Sequence, residues 1–278
     1  MTGRFWRRFF SNRGGALGLG LLGAMIALAV LAPWLYPGDP LDAVARPLLA
    51  PFADARYPFG TDRNGRDIAA GLAHGAQVSL AIAVAAAAGA VLIGTVVGAL
   101  AGFYRGWIDE ALMRVTEAAQ TVPNFLLALA LVAVLGPSTT SVAIAIALVA
   151  WPGIARIVRA EFLSLREREY VQACRAMGMS DAGLIFGQIL PNAAAPIIVL
   201  ATVVVAAAIL IESALSYLGL GDPNIVTWGG MIAAGRPVFR TAWTVSAIPG
   251  VAIVVTVVGV SLVGEALTDA ANPRTRGR

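Results

Sequence analysis

The chain contains no lysine: all 20 of its basic residues are arginine, and it has one histidine, His74, and one cysteine, Cys174. Each scarcity removes a class of chemistry. Without lysine there is no Walker A loop, whose lysine reaches the terminal phosphates of a nucleotide, and no Schiff base. A zinc site takes three or four His, Cys or carboxylate ligands, and one histidine with one distant cysteine does not supply them. A Ser-His-Asp triad would have to use His74, which no nucleophile-elbow sequence accompanies. A single cysteine permits no internal disulfide. Charge is scarce as well: 13% of the 278 residues are charged, about half the share of an average soluble domain. No catalytic residue, no metal ligand set and no cofactor site is expected in this chain.

What the chain has instead is apolar length. Hydrophobic residues make up 58% of it and the mean hydropathy is +0.78. A helix crosses a bilayer core with about 20 apolar residues, and six stretches qualify: 16–36, 79–103, 111–135, 139–157, 193–215 and 243–262. Several are rich in Ala, Gly and Val, which lets helix backbones approach closely. The expected fold is all-α and polytopic, with six transmembrane helices in one membrane domain. The first apolar stretch is longer than the roughly 7–15 residues of a signal-peptide core, so it is expected to persist as an anchor.

Arginine placement predicts orientation. With the N-terminus in the cytoplasm, that side holds Arg4, Arg7, Arg8, Arg13, Arg105, Arg114, Arg156, Arg159, Arg166, Arg168, Arg175, Arg274, Arg276 and Arg278. The other side keeps Arg46, Arg56, Arg63, Arg66, Arg236 and Arg240, offset by Asp39, Asp42, Asp54, Asp62, Asp67 and Asp222. Both termini are expected inside. The sequence pI near 9.8 then follows from topology, and no nucleic-acid partner is implied.

The segment 158–191 is the informative loop on the inner side. Residues 161–177 are good helix formers with alternating charges, and Gly178 can end a helix in the left-handed conformation. Ser180 is a suitable N-cap, with Asp181 in the following turn where negative charge suits the helix dipole. A second short helix is expected until Pro191 opens the next span. An ordinary amphipathic surface helix would read the same way.

A resemblance narrows this. Gln172-Ala173-Cys174, Gly178 four residues on, and Leu190-Pro191 resemble the "EAA…G…LP" signature of ABC importer permeases, with Gln172 in place of Glu and Cys174 in place of the second Ala. Residues 57–67, Tyr-Pro-Phe-Gly-Thr-Asp-Arg-Asn-Gly-Arg-Asp, are similar to the "HPFGTDxxGRD" segment of dipeptide/oligopeptide importers. Gly106-Trp107-Ile108-Asp109, Met113-Arg114, Glu117 and Pro123 resemble that subfamily's third span, with Glu117 where Asp is usual. Residues 212–221, Trp228-Gly229 and Asn272-Pro273-Arg274 resemble its "EAxLSFLGLG", "SWG" and "DPR" stretches. The chain thus looks like a C-type transmembrane permease subunit of the dipeptide/oligopeptide (nickel/peptide) ABC importer family.

That resemblance implies a type I, MetI-like permease fold in the bacterial inner membrane. It implies residues 1–78 as cytoplasmic N-terminus, first helix and external segment, and 79–278 as a five-helix permease core. It also implies a second homologous permease subunit, two cytoplasmic ATPases that bind the ATP and Mg, an external solute-binding protein and surrounding lipid. Ala173, Cys174, Gly178, Ser180, Asp181 and Pro191 become the ATPase-coupling loop. The solute stays open among peptides, nickel, opines, glutathione-like compounds and sugars. A self-contained secondary transporter or channel is the alternative. Glu117, Pro123 and Glu212 are candidates for the translocation path, since charge inside a span faces protein or water; Glu117 can equally pair with Arg114. The external segment 37–78 suits either a docking or gating surface or a plain connector, and 213–242 reads as an irregular outer loop.

The orientation is testable with single cysteines in a Cys174→Ser background. Cysteines at Asn64 and Asn224 are expected to react with an impermeant thiol reagent from outside, and one at Ser180 only from inside. External labelling at Ser180 would reverse the topology.

Overall fold

In hydrocarbon every backbone N–H and C=O must find a partner within the chain, so uncharged runs of Ala, Val, Leu and Ile become helix. A computed structural model describes residues 12–271 and contains nine α-helices: α1 (Arg13–Leu35), α2 (Ile68–Tyr104), α3 (Gly106–Ala119), α4 (Asn124–Leu135), α5 (Thr139–Arg166), α6 (Glu169–Ala176), α7 (Leu190–Tyr217), α8 (Trp228–Gly235) and α9 (Thr244–Ala271). Arg4, Arg7, Arg8, Arg274, Arg276, Arg278 and the Asn272-Pro273-Arg274 ending lie outside the described residues. Starts are capped where the sequence supplies an oxygen. Asn12 accepts from the Gly14 and Gly15 N–H groups, Asp67 from Ala69, Ser138 from Ser141 and Thr227 from Gly230.

Among the described residues five helical segments are long and apolar enough to cross a bilayer, and α3 with α4 qualifies only as a pair bent by 80°. The most extensive packing joins α2 to α5 along a stripe of small residues. A Cβ at Gly94 would sit 2.6 Å from Ile154 Cβ, one at Gly98 2.8 Å from Val158 Cβ, and one at Gly102 2.6 Å from Phe162 Cβ. Only glycine permits that approach. Because the contacts advance in step, α2 and α5 run parallel. α1 lies on α9 by the same means, Gly18 against Gly259 and Leu262.

The buried side chains form two main cores. One, at the end away from the 158–191 loop, includes Ile82, Ala86, Val132, Ile146, Ile209, Leu215 and Trp228. The other, at the loop end, includes Phe103, Ile154, Val158, Phe162, Val171, Leu184 and Ile189.

Several expectations are corrected. The third span, read as continuous over 111–135, is broken between α3 and α4, where Gln120, Thr121, Val122 and Pro123 leave the helix. The second span, expected from 79, starts at Ile68, so the division at 78/79 falls inside α2. Residues 161–177 do not make one helix: α5 ends at Arg166 and α6 begins at Glu169. Nor does Pro191 open a new helix, because a π-helical stretch, Gly183–Ile189, runs straight into α7. As the second residue of α7, Pro191 sits beyond that stretch without interrupting the chain's course.

Residues 37–67 are knitted tightly before α2. Gly60, at φ +75, and Gly65, at φ +80, lie where a Cβ would strike the Leu49 and Ala45 carbonyls. The Thr61 hydroxyl donates to the Arg46 carbonyl and accepts from the Leu49 N–H. One Asp62 oxygen accepts from the Asn64 and Arg66 N–H groups. The segment resembling a family motif is thus occupied in folding itself.

The α2–α5 seam makes a prediction. Gly98→Leu should lower stability by about 1–3 kcal/mol or more through overpacking, read as a reduced thermal midpoint of the detergent-solubilised chain. Gly20→Ala, where nothing lies within 4 Å of the added carbon, should leave it unchanged.

Candidate functional site: the loop between α5 and α7 and the broken span

The loop is built from local chemistry outward. α6 ends in a two-bond turn, in which the Met179 N–H donates to the Cys174 carbonyl (3.1 Å) and the Gly178 N–H to the Arg175 carbonyl (3.0 Å). Gly178 takes φ +84 there, a conformation that costs other residues a Cβ clash. Ser180 then caps the next helix, its hydroxyl accepting from the Gly183 N–H and its carbonyl from the Leu184 N–H. Asp181 lies in that helix's first turn and is exposed. Gln172 donates through its side-chain amide to the Arg166 carbonyl at 2.8 Å, closing the end of α5. A glutamate at this position would carry no such N–H donor.

Below the loop, Val171 is fully buried in the core with Phe103, Phe162 and Leu184. Cys174 packs half-buried on the same core. The guanidinium groups of Arg166 and Arg175 lie 5.8 and 5.5 Å from the Phe103 ring, and Arg166 also donates to the Phe103 carbonyl. Arg105 pairs with Glu167 at 2.9 Å. Arg159 grips Asp109 through both oxygens, at 2.5 and 2.6 Å, tying the first turn of α3 to α5. The loop is therefore fixed to α2 and α5 and, through α5, to α3. Above it, Ala173, Ala176 and Ala182 are exposed beside Met177, 78% exposed, with Met179 and Phe186 also uncovered. This apolar surface was not singled out from sequence. The motif itself marked the position, but methionine burial depends on which way α6 rolls, and that is set by Val171.

Along the broken span, Glu117 is well exposed, 3.6 Å from Arg114, and Pro123 starts α4 with no side-chain cap. The Asp109 tether, five residues before Arg114, was also missed, although an acid at the start of a basic-flanked helix was visible. Glu212 is a different case, with 1% exposure. Its carboxylate accepts from the Ser216 hydroxyl at 2.8 Å and from the Ser213 hydroxyl at 3.4 Å. Thr227 caps α8, and Trp228 behind it is fully buried, its indole N–H donating to the Leu72 carbonyl. Glu117 and Pro123 are thus near one another, while Glu212 is enclosed where α7 meets α8.

At that end a cleft of about 150 Å³ opens between residues 37–67 and α8, lined by Asp62, Arg66, Asp67, Asp222 and Met231 among others. Burial pushes the Asp67 carboxyl above the usual carboxylate range, against the lowering effect of the N–H groups it caps. Among the described residues no group of three or more His, Cys, Asp or Glu side chains is arranged to hold a metal.

The family model described as binding-protein-dependent transport system inner membrane component matches residues 94–277, and that of the N-terminal TM domain of oligopeptide transport permease C matches residues 1–64. The di/tripeptide transport system permease protein DppC of Pseudomonas aeruginosa is 37% identical over 98% of this chain and 92% of its own length. The glutathione transport system permease protein GsiD of Pectobacterium atrosepticum is 34% identical over 98% of this chain and 91% of its own. Among solved structures, a chain of the MetNI methionine ABC transporter in an inward-facing conformation superposes with a TM-score of 0.60. It covers 73% of this chain and 96% of that one at 19% identity, a likeness of fold.

Glu212→Ala would strand the Ser216 hydroxyl without its acceptor in a buried site, a loss of about 1–3 kcal/mol. Faster proteolysis of residues 218–243 and a lower thermal midpoint are expected for Glu212→Ala. Glu212→Gln, which keeps an acceptor oxygen, should stay close to the parent. Equal behaviour of the two variants would show that the carboxylate fastens nothing.

Proposed function

The chain belongs to the family of binding-protein-dependent transport system inner membrane components and is a permease subunit of an ABC importer; from that premise we propose how it is assembled and driven. It sits in the bacterial inner membrane with both termini and the 158–191 loop in the cytoplasm, as the arginine asymmetry supports. A second, homologous permease subunit completes the pathway. Two cytoplasmic ATPases bind the ATP and Mg, and a solute-binding protein delivers from outside. Peptides or related small solutes are the cargo, in line with the names carried by relatives over nearly the full length.

The observation that carries the coupling reading is the loop's two-sidedness. One face, Val171 and Leu184, is sunk in the loop-end core, while Ala173, Met177, Met179 and Ala182 are exposed among the described residues. A self-contained transporter would leave that apolar surface without a role. Ala173, Cys174, Gly178, Ser180 and Asp181 form the element that meets an ATPase, and Pro191 lies where it joins α7. ATPase closure presses on this element, and because it is bolted to Phe103, Phe162 and Arg166, α5 and α7 tilt with it and switch the pathway's opening. Glu117 and Pro123 lie beside that pathway. Glu212 instead is buried where α7 meets α8.

Gly178→Val tests the coupling. A β-branched residue at φ +84 costs roughly 1–2 kcal/mol in the turn and should displace the Ser180-capped helix while the spans remain. In reconstituted vesicles the expected result is normal insertion with uptake and binding-protein-stimulated ATP hydrolysis both reduced by about tenfold or more. Ala182→Ser, which alters neither turn nor cap, serves as the control. Parental coupling in Gly178→Val would make the loop a mere connector.

A further inference from the structure

With the outer ends of α5 and α7 taken as the outer boundary of the bilayer core, the break between α3 and α4 falls about halfway through it. Asn124, at its end, lines a groove with Ile146, Val149, Val203, Ala207 and Ile211. Val149 is ten residues from the start of α5 at Thr139, and Ala207 is ten residues from the end of α7 at Tyr217. At 1.5 Å per residue both give a depth of about 15 Å, half of a hydrocarbon core of about 30 Å. Neither half of the bent pair crosses alone: α4 has 12 residues, about 18 Å of helix.

Non-helical backbone at that depth is tolerated only where protein or water satisfies it. Here protein does so only in part. The Gln120 and Thr121 N–H groups donate back to Glu117 and Ala118, and the Thr121 hydroxyl to Ala118. The first-turn N–H groups of Asn124, Phe125 and Leu126 have no intrahelical partner by geometry, and no side chain caps them. Thr121, Pro123 and Asn124 are exposed and Gln120 is half-exposed. Val254, exposed on α9 at a similar depth, presents only an apolar side chain on a continuous helix.

We propose that residues 120–124 form a wet wall of the translocation pathway at the bilayer midplane. Gln120, Thr121 and Asn124 there present uncharged hydrogen-bonding groups to a hydrated polar solute. The inference rests on the permease reading and extends it from Pro123 to Gln120, Thr121 and Asn124, which no motif singled out.

The test uses the assembled importer in proteoliposomes, in a Cys174→Ser background shown first to retain binding-protein-dependent uptake. Gln120→Cys, Thr121→Cys and Asn124→Cys are compared with Val254→Cys as a depth-matched apolar control. A charged methanethiosulfonate reagent should modify the three joint positions at least about tenfold faster than the control, since water is absent from the lipid-facing side. Modification should also block uptake. A lipophilic maleimide should reach Val254→Cys readily. If any one variant fails to insert, the other two carry the comparison. Charged-reagent rates equal to the control at the joint, with uptake intact in the background, would overturn the wet wall and leave the permease reading standing. Absence of binding-protein-dependent uptake in the parent importer would overturn the permease reading itself.

Discussion

The close approach of α2 to α5 is the contact on which the rest depends. Lipid tails are as apolar as leucine, so helices in a bilayer are held by packing rather than by exclusion from water. Gly94, Gly98 and Gly102 allow α5 to lie against α2 with backbone nearly touching side-chain stems from Ile154 to Phe162. That register sets the Phe103 ring beneath the end of α5, where Arg166 and Arg175 stack on it. Move the seam by one turn and Arg166 loses the Phe103 carbonyl, Val171 loses its pocket, and the loop loses its seat.

A rigid seam also permits irregularity elsewhere. With α2, α5 and α7 supplying the packing, α3 can be a loosely held amphipathic helix whose buried residue is Thr116. It is tethered by Asp109 to Arg159 at one end and bent from α4 at the other. The break is affordable in structural terms because the neighbouring spans do not rely on it.

How much of this could be read from the chain divides along the range of the forces involved. Gly178 and Ser180 were legible because a helix stop and an N-cap are decided by residues next to each other. The six apolar stretches were legible for the same reason, since hydropathy is additive along a window. The interruption at Glu167 and Arg168 was not, because Arg-Glu-Arg-Glu is a good helical sequence; the break is imposed by Arg166 reaching Phe103 and by Gln172 reaching Arg166, contacts 63 and 6 residues apart. The break at Pro123 was not legible in hydropathy, because 111–135 qualifies as one apolar stretch, and its 80° bend follows from where α4 must pack on α5. Glu212 was visible as a charge in a span, yet only the fold shows it buried, with the Ser213 and Ser216 hydroxyls on its carboxylate.

The two cores explain why those particular breaks matter. The far-end core holds α4, the start of α5 and α8, while the loop-end core holds the ends of α2 and α5 together with α6. Between them α5 carries Pro152, which removes an internal hydrogen bond, and the α3–α4 joint lies beside Val149. The backbone is thus weakest in the layer where the two packed blocks meet. A push on Met177 and its neighbours acts on the loop-end block through Val171, Phe162 and Arg159. In the proposed coupling, that block tilts against the other most readily at Pro152 and the joint, while α2 runs unbroken through both. The same layer contains the polar residues of the joint, so the place where the structure bends is also the place where it is wet.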